Sequence, residues 1–424
     1  MPVYGIDFGY SEACIAAMGK DGRPFIIQNC TDGKDKLDCA VYFENENNVL
    51  VGAIAKDLIG LDDERIVIFP KRELGRFDST CYEFDGRCYS PVEICALILK
   101  RLKQMCEEQG YCVNDVAITM PTYFGLAEKS ALKNAAEIAG FKLVGTICEP
   151  TAAALAYLYN QEPANKNILV YDLGGRSFDV SVLKMSTTID ENGNIIPSLQ
   201  VTAIGGNDML GGKDWDDRLF NFILQACCDE NGFTEDEIDN ETRQLIRIKT
   251  EMTKKKLSYT NRAKVRIAVN GEMTSITVNR EDFENLTSDL VAQTMNYVEE
   301  TLQNAGNIDI DTVFLVGGST YMPMIRNAVK AIFPGKVQIH EPDRAVAMGA
   351  AVYGQMIGEN QFPPPRQRKV SPYSSNLIAN MIRYSIDHAH DDVAKELISE
   401  VDWERLTPGE LFDFFNRIRH LFKK

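Results

Sequence analysis

The feature that most constrains this chain is a short pattern, a buried strand followed by Asp-x-Gly, that occurs twice. The first copy lies at residues 3–9 and the second at residues 168–174, about one domain length later. In both copies an apolar run with β-branched residues leads to the aspartate, and a second strand follows the glycine turn. Two strands joined by such a turn form a hairpin, so the pattern predicts two similar lobes, each with a glycine-tipped hairpin.

The glycine-rich tips have a chemical use. Glycines allow consecutive backbone N–H groups to converge on one point, and converging N–H groups bind anions such as phosphate. Asp172 and Asp179 flank the second tip, and two carboxylates beside a phosphate favour a hydrated Mg²⁺ ion. One such tip alone is more often an ordinary turn with solvated aspartates. Two tips facing one ligand are much rarer by chance, so the pair favours a nucleotide between two lobes.

Bulk properties exclude several classes of protein. The 424 residues leave room for two or three domains, and the net charge of −16 argues against a surface for nucleic acid or an anionic membrane. The 11 cysteines include no C-x-x-C pair and there are four histidines, which argues against zinc and favours free thiols in a reducing cytosol. Since the chain starts with a strand and has no run of 18 apolar residues, we expect a cytoplasmic protein without a leader or membrane span.

Hydrophobic periodicity predicts helices that cover the strands, at 91–109, 126–140, 214–229, 241–259 and 322–332. A hairpin loop is expected at 186–197. Pro150 and Pro342 each begin a helix of small residues, which supports the duplication. By themselves, Glu149 before the first of these helices is an ordinary cap residue and Lys71 is an ordinary solvated lysine.

The helix at 241–259 is rich in charged residues, which normally form a solvated face. Four long polar side chains nevertheless fall on one stripe, at i, i+3, i+4 and i+7: Glu251, Lys254, Lys255 and Ser258. Such a stripe also suits the ribose or the base of a nucleotide. Farther along, a strand leads through a glycine turn into a helix, an arrangement compatible with nucleotide binding but weak alone.

Five ordered motifs together resemble a known family. Up to about residue 358 the chain is similar to the ATPase domain of the 70-kDa heat-shock chaperones, in the actin-like ATPase superfamily. The motifs lie at 5–9 (GIDFG), 149–157 (EPTAAALAY), 172–175 (DLGG), 315–319 (LVGGS) and 341–351 (EPDRAVAMGAA), and residues 120–124 (MPTYF) also match.

The resemblance implies an α/β protein with the duplicated actin-like (ribonuclease H-like) ATPase fold, two lobes around a central nucleotide cleft. Lobe I would span 1–167 with an insertion at about 36–89, and lobe II would span 168–358 with an insertion at about 206–278. A Pro-rich linker at 359–375 and a short helical tail at 376–424 would follow.

The resemblance also implies roles around ATP or ADP and Mg²⁺. Asp7 and Asp172 would hold Mg²⁺ through water, Lys71 would lie at the terminal phosphate, and Glu149 and Asp179 would orient the attacking water or its proton, with Asp172 also in the catalytic set. The phosphates would lie against Gly9, Tyr10, Ser11, Gly174, Gly175, Arg176 and Ser177. The nucleoside would lie against Gly206, Gly212, Glu251, Lys254, Lys255, Ser258, Gly317, Gly318, Ser319, Tyr321 and Asp343.

Five positions depart from the family pattern, among them Ser177, which replaces the threonine of the second tip. Tyr10 and Ser11 replace two threonines after the first Asp-x-Gly, and Tyr10 places a bulky phenol where a small hydroxyl normally meets phosphate. Arg176 replaces the third glycine of the second tip, where it could contact phosphate, block the tip or point to solvent. Tyr321 replaces an arginine that stacks on adenine, and a tyrosine can also stack.

The tail departs completely from the family's peptide-binding domain. Its last helix has one strongly apolar face, which either packs on the rest of the chain or docks a protein partner: Leu411, Phe412, Phe414, Phe415, Ile418, Leu421 and Phe422. We therefore expect a chaperone-like switch that binds ATP, hydrolyses it slowly with Mg²⁺ and lacks the peptide-binding domain. A non-hydrolysing nucleotide sensor or scaffold, and an actin-like filament protein, remain alternatives. In each case we expect a protein partner at the tail or a lobe surface, and neither nucleic acid nor membrane.

Overall fold

The computed structural model describes residues 2–29, 33–76, 81–159, 164–189, 195–232, 234–269, 272–339 and 341–358. These residues belong to one compact unit that spans 1–361. The predicted linker at 359–375, the helical tail at 376–424 and its apolar face lie outside the described residues.

The strands of this part of the chain are short, as expected for runs bounded by glycine and polar turns. They are β1 (Val3–Phe8), β2 (Glu12–Met18), β3 (Pro24–Ile26), β4 (Leu37–Asp38), β5 (Ala40–Asn45), β6 (Asn48–Val51), β7 (Ile66–Ile68), β8 (Tyr82–Phe84), β9 (Arg87–Tyr89), β10 (Asp115–Met120), β11 (Lys142–Cys148), β12 (Lys166–Leu173), β13 (Phe178–Ile189), β14 (Ile195–Asn207), β15 (Arg262–Val269), β16 (Glu272–Asn279), β17 (Thr312–Val316) and β18 (Val337–Gln338).

Ten α-helices fall within the described ranges, and some of them begin with a side-chain cap. They are α1 (Ala53–Lys56), α2 (Pro91–Glu107), α3 (Leu126–Ile138), α4 (Glu149–Leu158), α5 (Gly212–Asn231), α6 (Asn240–Leu257), α7 (Arg280–Leu286), α8 (Ser288–Asn304), α9 (Pro323–Ile332) and α10 (Ala345–Gly358). At the start of α2, for example, the Ser90 hydroxyl accepts from the Glu93 N–H while the Glu93 carboxylate accepts from the Ser90 N–H. A short 3₁₀ helix, Pro70–Glu73, carries Lys71.

Two large sheets share one strand order, which confirms the predicted duplication. Read from the equivalent edge, the first sheet runs β3-β2-β1-β10-β11 and the second runs β14-β13-β12-β17-β18. Strand β4 also pairs with β2. In each sheet the central strand, β1 or β12, pairs antiparallel with the next strand in sequence and parallel with a later one. This repeat places the tips of the β1–β2 and β12–β13 hairpins in equivalent positions.

Each sheet has its own hydrophobic core. One cluster packs Phe8, Phe43 and the buried face of α2 against the first sheet, and another packs Trp215 and Phe178 against the second. The small sheets β6-β5-β7 and β15-β16 fall within the segments predicted as insertions at 36–89 and 206–278. The lobe boundaries themselves stay predictions.

Two helices of small residues, α4 and α10, cross in close contact. A Cβ atom on Gly349 of α10 would lie 1.7 Å from the carbonyl oxygen of Ala152 in α4, and one on Gly5 of β1 would lie 2.1 Å from the backbone nitrogen of Ala351. The helix that ends the second half of the unit therefore packs directly on the central strand of the first sheet. Because the backbones touch, only glycine fits at these two positions.

The cysteines differ in one respect from the prediction of free thiols. Cys81, just before β8, forms a disulfide with Cys88 in β9, with their Cα atoms 5.5 Å apart. The other described cysteines are free, and most of them are buried. The prediction of free thiols is therefore wrong for this pair.

Candidate functional site

The first hairpin tip, Gly9 to Ser11, joins β1 to β2. The Gly9 N–H donates to the Glu12 carbonyl oxygen over 3.0 Å and closes the turn. A Cβ on Gly9 would lie 2.7 Å from that oxygen, so the turn requires glycine. Asp7 lies at the end of β1, where its Oδ1 accepts from the Thr119 hydroxyl at 3.0 Å. The turn and the strand end therefore bring the tip residues and a carboxylate to one cavity.

The second tip, Gly174 to Ser177, is built the same way. The Gly174 N–H donates to the Ser177 carbonyl oxygen over 3.0 Å, and Asp172 is paired with Asp179 across the ladder. The Gly174 carbonyl oxygen accepts from the Gly212 N–H at 2.9 Å and from the Ser319 hydroxyl at 2.8 Å. The start of α5 and the turn after β17 thus fix this tip.

The two tips meet. A Cβ on Gly175 would lie 2.8 Å from the Ser11 hydroxyl oxygen, so Ser11 of the first tip is within contact distance of the second. Around this contact lies a cavity of about 110 Å³. The predicted residues that line it are Asp7, Gly9, Tyr10, Ser11, Lys71, Glu149, Asp172, Gly174, Gly175, Arg176, Ser177, Asp179, Gly317, Gly318 and Asp343.

The carboxylates around this cavity repel one another. Burial raises the pKa of Asp7 to about 6, with a further contribution from Glu149. Burial and Glu149 likewise raise the pKa of Asp179 to about 7. The pKa of Asp172 is raised well above its usual range by burial and by the charges of its three carboxylate neighbours. The site therefore holds more negative charge than its own cations neutralise.

Lys71 is the main buried cation of the site. Its Nζ atom lies 2.9 Å from Oε1 of Glu149 and 5.2 Å from the centroid of the Tyr10 ring, with the rings of Phe8 and Phe124 at 5.9 and 5.5 Å. Burial alone would lower the pKa of this lysine, but Glu149 reverses the effect and the pKa is raised. Lys71 therefore stays charged at the end of the cavity.

A larger cavity of about 630 Å³ adjoins the first and shares some of its lining, including Ser11, Gly175, Gly318 and Asp343. It is lined in addition by the remaining predicted nucleoside residues except one: Gly212, Glu251, Lys254, Lys255, Ser258, Ser319 and Tyr321. The predicted stripe on α6 therefore faces the same cleft as the two tips.

Comparison with known families settles the relationship. The family model described as Hsp70 protein matches residues 3–364. The chain belongs to the Hsp70 family. Its two similar sheets are those of the two-lobed actin-like ATPase fold of Hsp70 proteins, and the family supports an ATP-binding function of chaperone type.

One predicted residue does not join the others in the Hsp70 cleft. Gly206 lines a separate cavity of about 240 Å³ with Tyr123, Asp179 and Asp208. It lies opposite Asp179 in the β13–β14 ladder, and a Cβ there would lie 2.2 Å from the Phe178 carbonyl oxygen. Its glycine is required by strand packing, so nothing in the structure supports a contact with the nucleoside.

Several stripe residues have partners within the protein. Lys254 Nζ donates to the Gly212 carbonyl oxygen and to Asp216, each over 2.7 Å. Glu251 pairs with Lys255 at 2.8 Å and with Lys56 at 3.2 Å. Lys254 therefore holds α5 against α6, whereas Glu251 and Lys255 lie at the cavity wall with their charges paired.

The structure adds residues that the sequence did not indicate. Lys36 lines both cavities and pairs with Glu12 at 2.9 Å and with Asp343 at 3.6 Å. Tyr259 lines the larger cavity, with its ring centroid 6.5 Å from that of Tyr321. Lys36 lies in a loop without periodicity, so no sequence signal marks it. Tyr259 directly follows Ser258, and an aromatic residue beside the predicted stripe was a usable signal.

Three of the departures from the family pattern, Tyr10, Arg176 and Tyr321, have definite places. The Tyr10 hydroxyl hydrogen bonds to the Tyr123 hydroxyl, so it is directed at the adjacent loop. Arg176 lines the smaller cavity and lies over the Phe69 ring. The Tyr321 hydroxyl donates to Oδ1 of Asp343 over 2.9 Å.

The residues present fit a magnesium nucleotide. The smaller cavity is lined by six carboxylates and three cationic side chains, so anionic phosphates require an added cation to enter. No group of three or more Asp, Glu, His or Cys side chains in the described ranges is arranged to ligate a metal directly. Mg²⁺ keeps several of its waters in such sites, so contact through water suits Asp7 and Asp172.

Within the described ranges, no helix is long and apolar enough to cross a membrane.

Proposed function

We propose that this Hsp70-family chain binds Mg-ATP and Mg-ADP between the two hairpin tips and hydrolyses ATP slowly as part of a chaperone-type switch. The observation that supports this most strongly is the meeting of Ser11 and Gly175 above one acidic cavity. Residues of both tips line this cavity, and backbone N–H groups of such glycine tips bind phosphate.

The proposed roles follow from charge and position. Asp7 and Asp172 hold Mg²⁺ through water, and the ion, when bound, neutralises phosphate charge. Lys71 faces the terminal phosphate. Phosphoryl transfer of this kind depends on positioning and on charge stabilisation rather than on covalent chemistry.

Asp179 is the better candidate to accept the proton of the attacking water. Its pKa is raised to about 7, near the pH at which a general base is most effective. Oε1 of Glu149 already accepts from Lys71, so Glu149 serves to orient Lys71 and the water. The Asp179 carboxylate takes the proton as the oxygen of water attacks the terminal phosphorus, and the bond from that phosphorus to the ADP oxygen breaks, which releases ADP and phosphate.

Nucleotide in this cleft would link the two sheets, since residues of both line it. Opening and closing around the nucleotide then changes the surfaces that a protein partner meets. A partner that reads this change, at a lobe surface or at the tail, completes the proposed switch.

One observation favours a second candidate, a nucleotide sensor with little hydrolysis. The Tyr10 hydroxyl is directed to Tyr123, and the Tyr10 ring covers Lys71. A lysine held beneath aromatic rings and paired with Glu149 would be slow to turn toward a phosphate.

Single-turnover hydrolysis of Mg-ATP separates the two candidates. The switch predicts measurable hydrolysis by the wild type and a loss of about 100-fold or more in Lys71→Ala. The sensor predicts that the wild type binds ATP without turnover and that Tyr10→Thr restores it. Failure of the wild type to bind Mg-ATP or Mg-ADP would refute both.

A further inference from the structure

The cations of the smaller cavity are not equally available to a ligand. Lys71 is paired with Glu149 at 2.9 Å, and Lys36 is paired with Glu12 at 2.9 Å and with Asp343. The third cation, Arg176, has no ion pair with any described residue, and its Nε atom is buried without a hydrogen-bond partner. A buried guanidinium N–H without an acceptor is costly, so a ligand atom is the expected partner.

The side chain of Arg176 is held without using its N–H groups. Its Cζ atom lies 5.5 Å from the centroid of the Phe69 ring, in a cation–π contact. Phe69 itself has φ of 57° and directly precedes the 3₁₀ helix that carries Lys71. This contact positions the guanidinium without using its N–H donors, which leaves them for another group.

The backbone of Arg176 is also fixed. A Cβ on Gly211 would lie 2.4 Å from the Arg176 nitrogen, so the loop before α5 packs tightly on it. The main chain is therefore constrained, and the side chain is half-buried with its Nε atom out of contact with solvent.

We propose that Arg176 is a phosphate-binding residue that donates from its guanidinium to the phosphate chain of the bound nucleotide. It supplies a charged donor beside a first tip whose Tyr10 hydroxyl is engaged by Tyr123. Arginine matches phosphate geometry through paired N–H groups, whereas lysine acts as a point charge. This inference rests on the proposed nucleotide site and assigns a ligand contact within it.

Isothermal titration with adenosine, Mg-ADP and Mg-ATP tests the assignment in the wild type, Arg176→Gln and Arg176→Lys. Arg176→Gln should weaken the affinity for Mg-ATP by about 10-fold or more, because a hydrogen bond between charged groups is lost. Adenosine affinity should be unchanged, which also shows that the variant is folded. The Mg-ATP affinity of Arg176→Lys should lie between those of the wild type and Arg176→Gln. A loss confined to Mg-ATP places the guanidinium at the terminal phosphate, and an equal loss for Mg-ADP places it at the inner phosphates.

Arg247→Gln is the matched control. Arg247 lies over the Phe220 ring at 4.2 Å and lines neither cavity of the cleft, so its loss should leave all three affinities unchanged. Equal nucleotide affinities for Arg176→Gln and the wild type would overturn the role of Arg176 while leaving the proposed function intact. Absence of nucleotide binding by the wild type would overturn both.

Discussion

The Nζ atom of Lys71 lies 2.9 Å from Oε1 of Glu149, in an ion pair whose lysine side chain is 1% exposed and whose glutamate is 15% exposed. The two residues are 78 positions apart and come from the 3₁₀ helix Pro70–Glu73 and the first residue of α4. A buried pair of this kind is stable only while both charges are present.

Removal of Lys71 should therefore destabilise the fold as well as the chemistry. Lys71→Met leaves Glu149 unpaired beside Asp7 and Asp179, and we expect a loss of about 3–5 kcal/mol in the free energy of unfolding. Lys71→Met with Glu149→Gln should recover part of that loss. Urea denaturation measures both. The exposed pair Lys336–Asp309 is the control, and Lys336→Met should cost less than about 1 kcal/mol. Equal losses in the free energy of unfolding for Lys71→Met and Lys336→Met would contradict a buried ion pair between Lys71 and Glu149.

The raised pKa of Asp179 gives a pH dependence with a definite sign. The folded protein keeps this proton up to pH about 7 while the unfolded chain releases it near 3.8, so stability falls as pH rises between these values. Asp179→Asn cannot ionise. Without nucleotide it should be more stable than the wild type at pH 8 by about 1 kcal/mol or more, and the difference should shrink at pH 5. Thermal unfolding at both pH values measures this. A stability difference between Asp179→Asn and the wild type that does not change with pH would refute the raised pKa of Asp179. As a control, Asp229→Asn at an exposed position should show no pH-dependent difference in stability from the wild type.

Asp7 and Asp172 should make nucleotide affinity depend on Mg²⁺. In the wild type, EDTA should weaken ADP binding strongly because the acidic cavity then repels the phosphates. Asp7→Ala or Asp172→Ala should abolish the Mg²⁺-dependent part of the affinity. Titration with ADP in Mg²⁺ and in EDTA measures it, with Asp115→Ala at the far end of β10 as a control. A full Mg²⁺ effect in either cleft variant would rule out the proposed metal position.

The contact of α10 with α4 predicts an inverted helix effect. Glycine to alanine inside a helix normally stabilises by about 0.5–1 kcal/mol. In Gly349→Ala the new methyl group would meet the Ala152 carbonyl oxygen, so we expect destabilisation of about 1–3 kcal/mol. Gly358→Ala, where the new methyl group would lie 3.8 Å from Cγ2 of Val3, should not destabilise. Denaturation midpoints compare the two, and a stabilised Gly349→Ala would contradict the crossing.

Local patterns predicted much of this fold because its elements are locally consistent. The hairpin tips appear where glycine interrupts alternation, and α2 and α6 begin within one residue of the predicted 91 and 241. The predicted loop at 186–197 was too long, since β13 continues to Ile189 and β14 begins at Ile195. A polar stretch with Asn and Gly resembles a loop, but pairing between two long strands overrides that preference.

The candidate site was predictable mainly where the chain repeats itself. Asp7 and Asp172 stand at equivalent strand ends, so the duplication places them together. Lys36 and Tyr259 reach the cleft from elements that only the tertiary packing brings there. Ion pairing is also a tertiary property: the sequence could not distinguish Arg176, without an ion pair among the described residues, from Lys254, whose charge is used inside the protein.

The central claim is that one nucleotide lies between the two hairpin tips. A crystal structure of the protein with Mg-ADP tests it most directly. The account predicts phosphates between residues 9–11 and 174–177, a hydrated Mg²⁺ near Asp7 and Asp172, and the base in the larger cavity near Tyr321. Nucleotide bound elsewhere, or phosphates that contact only one of the two tips, would contradict it.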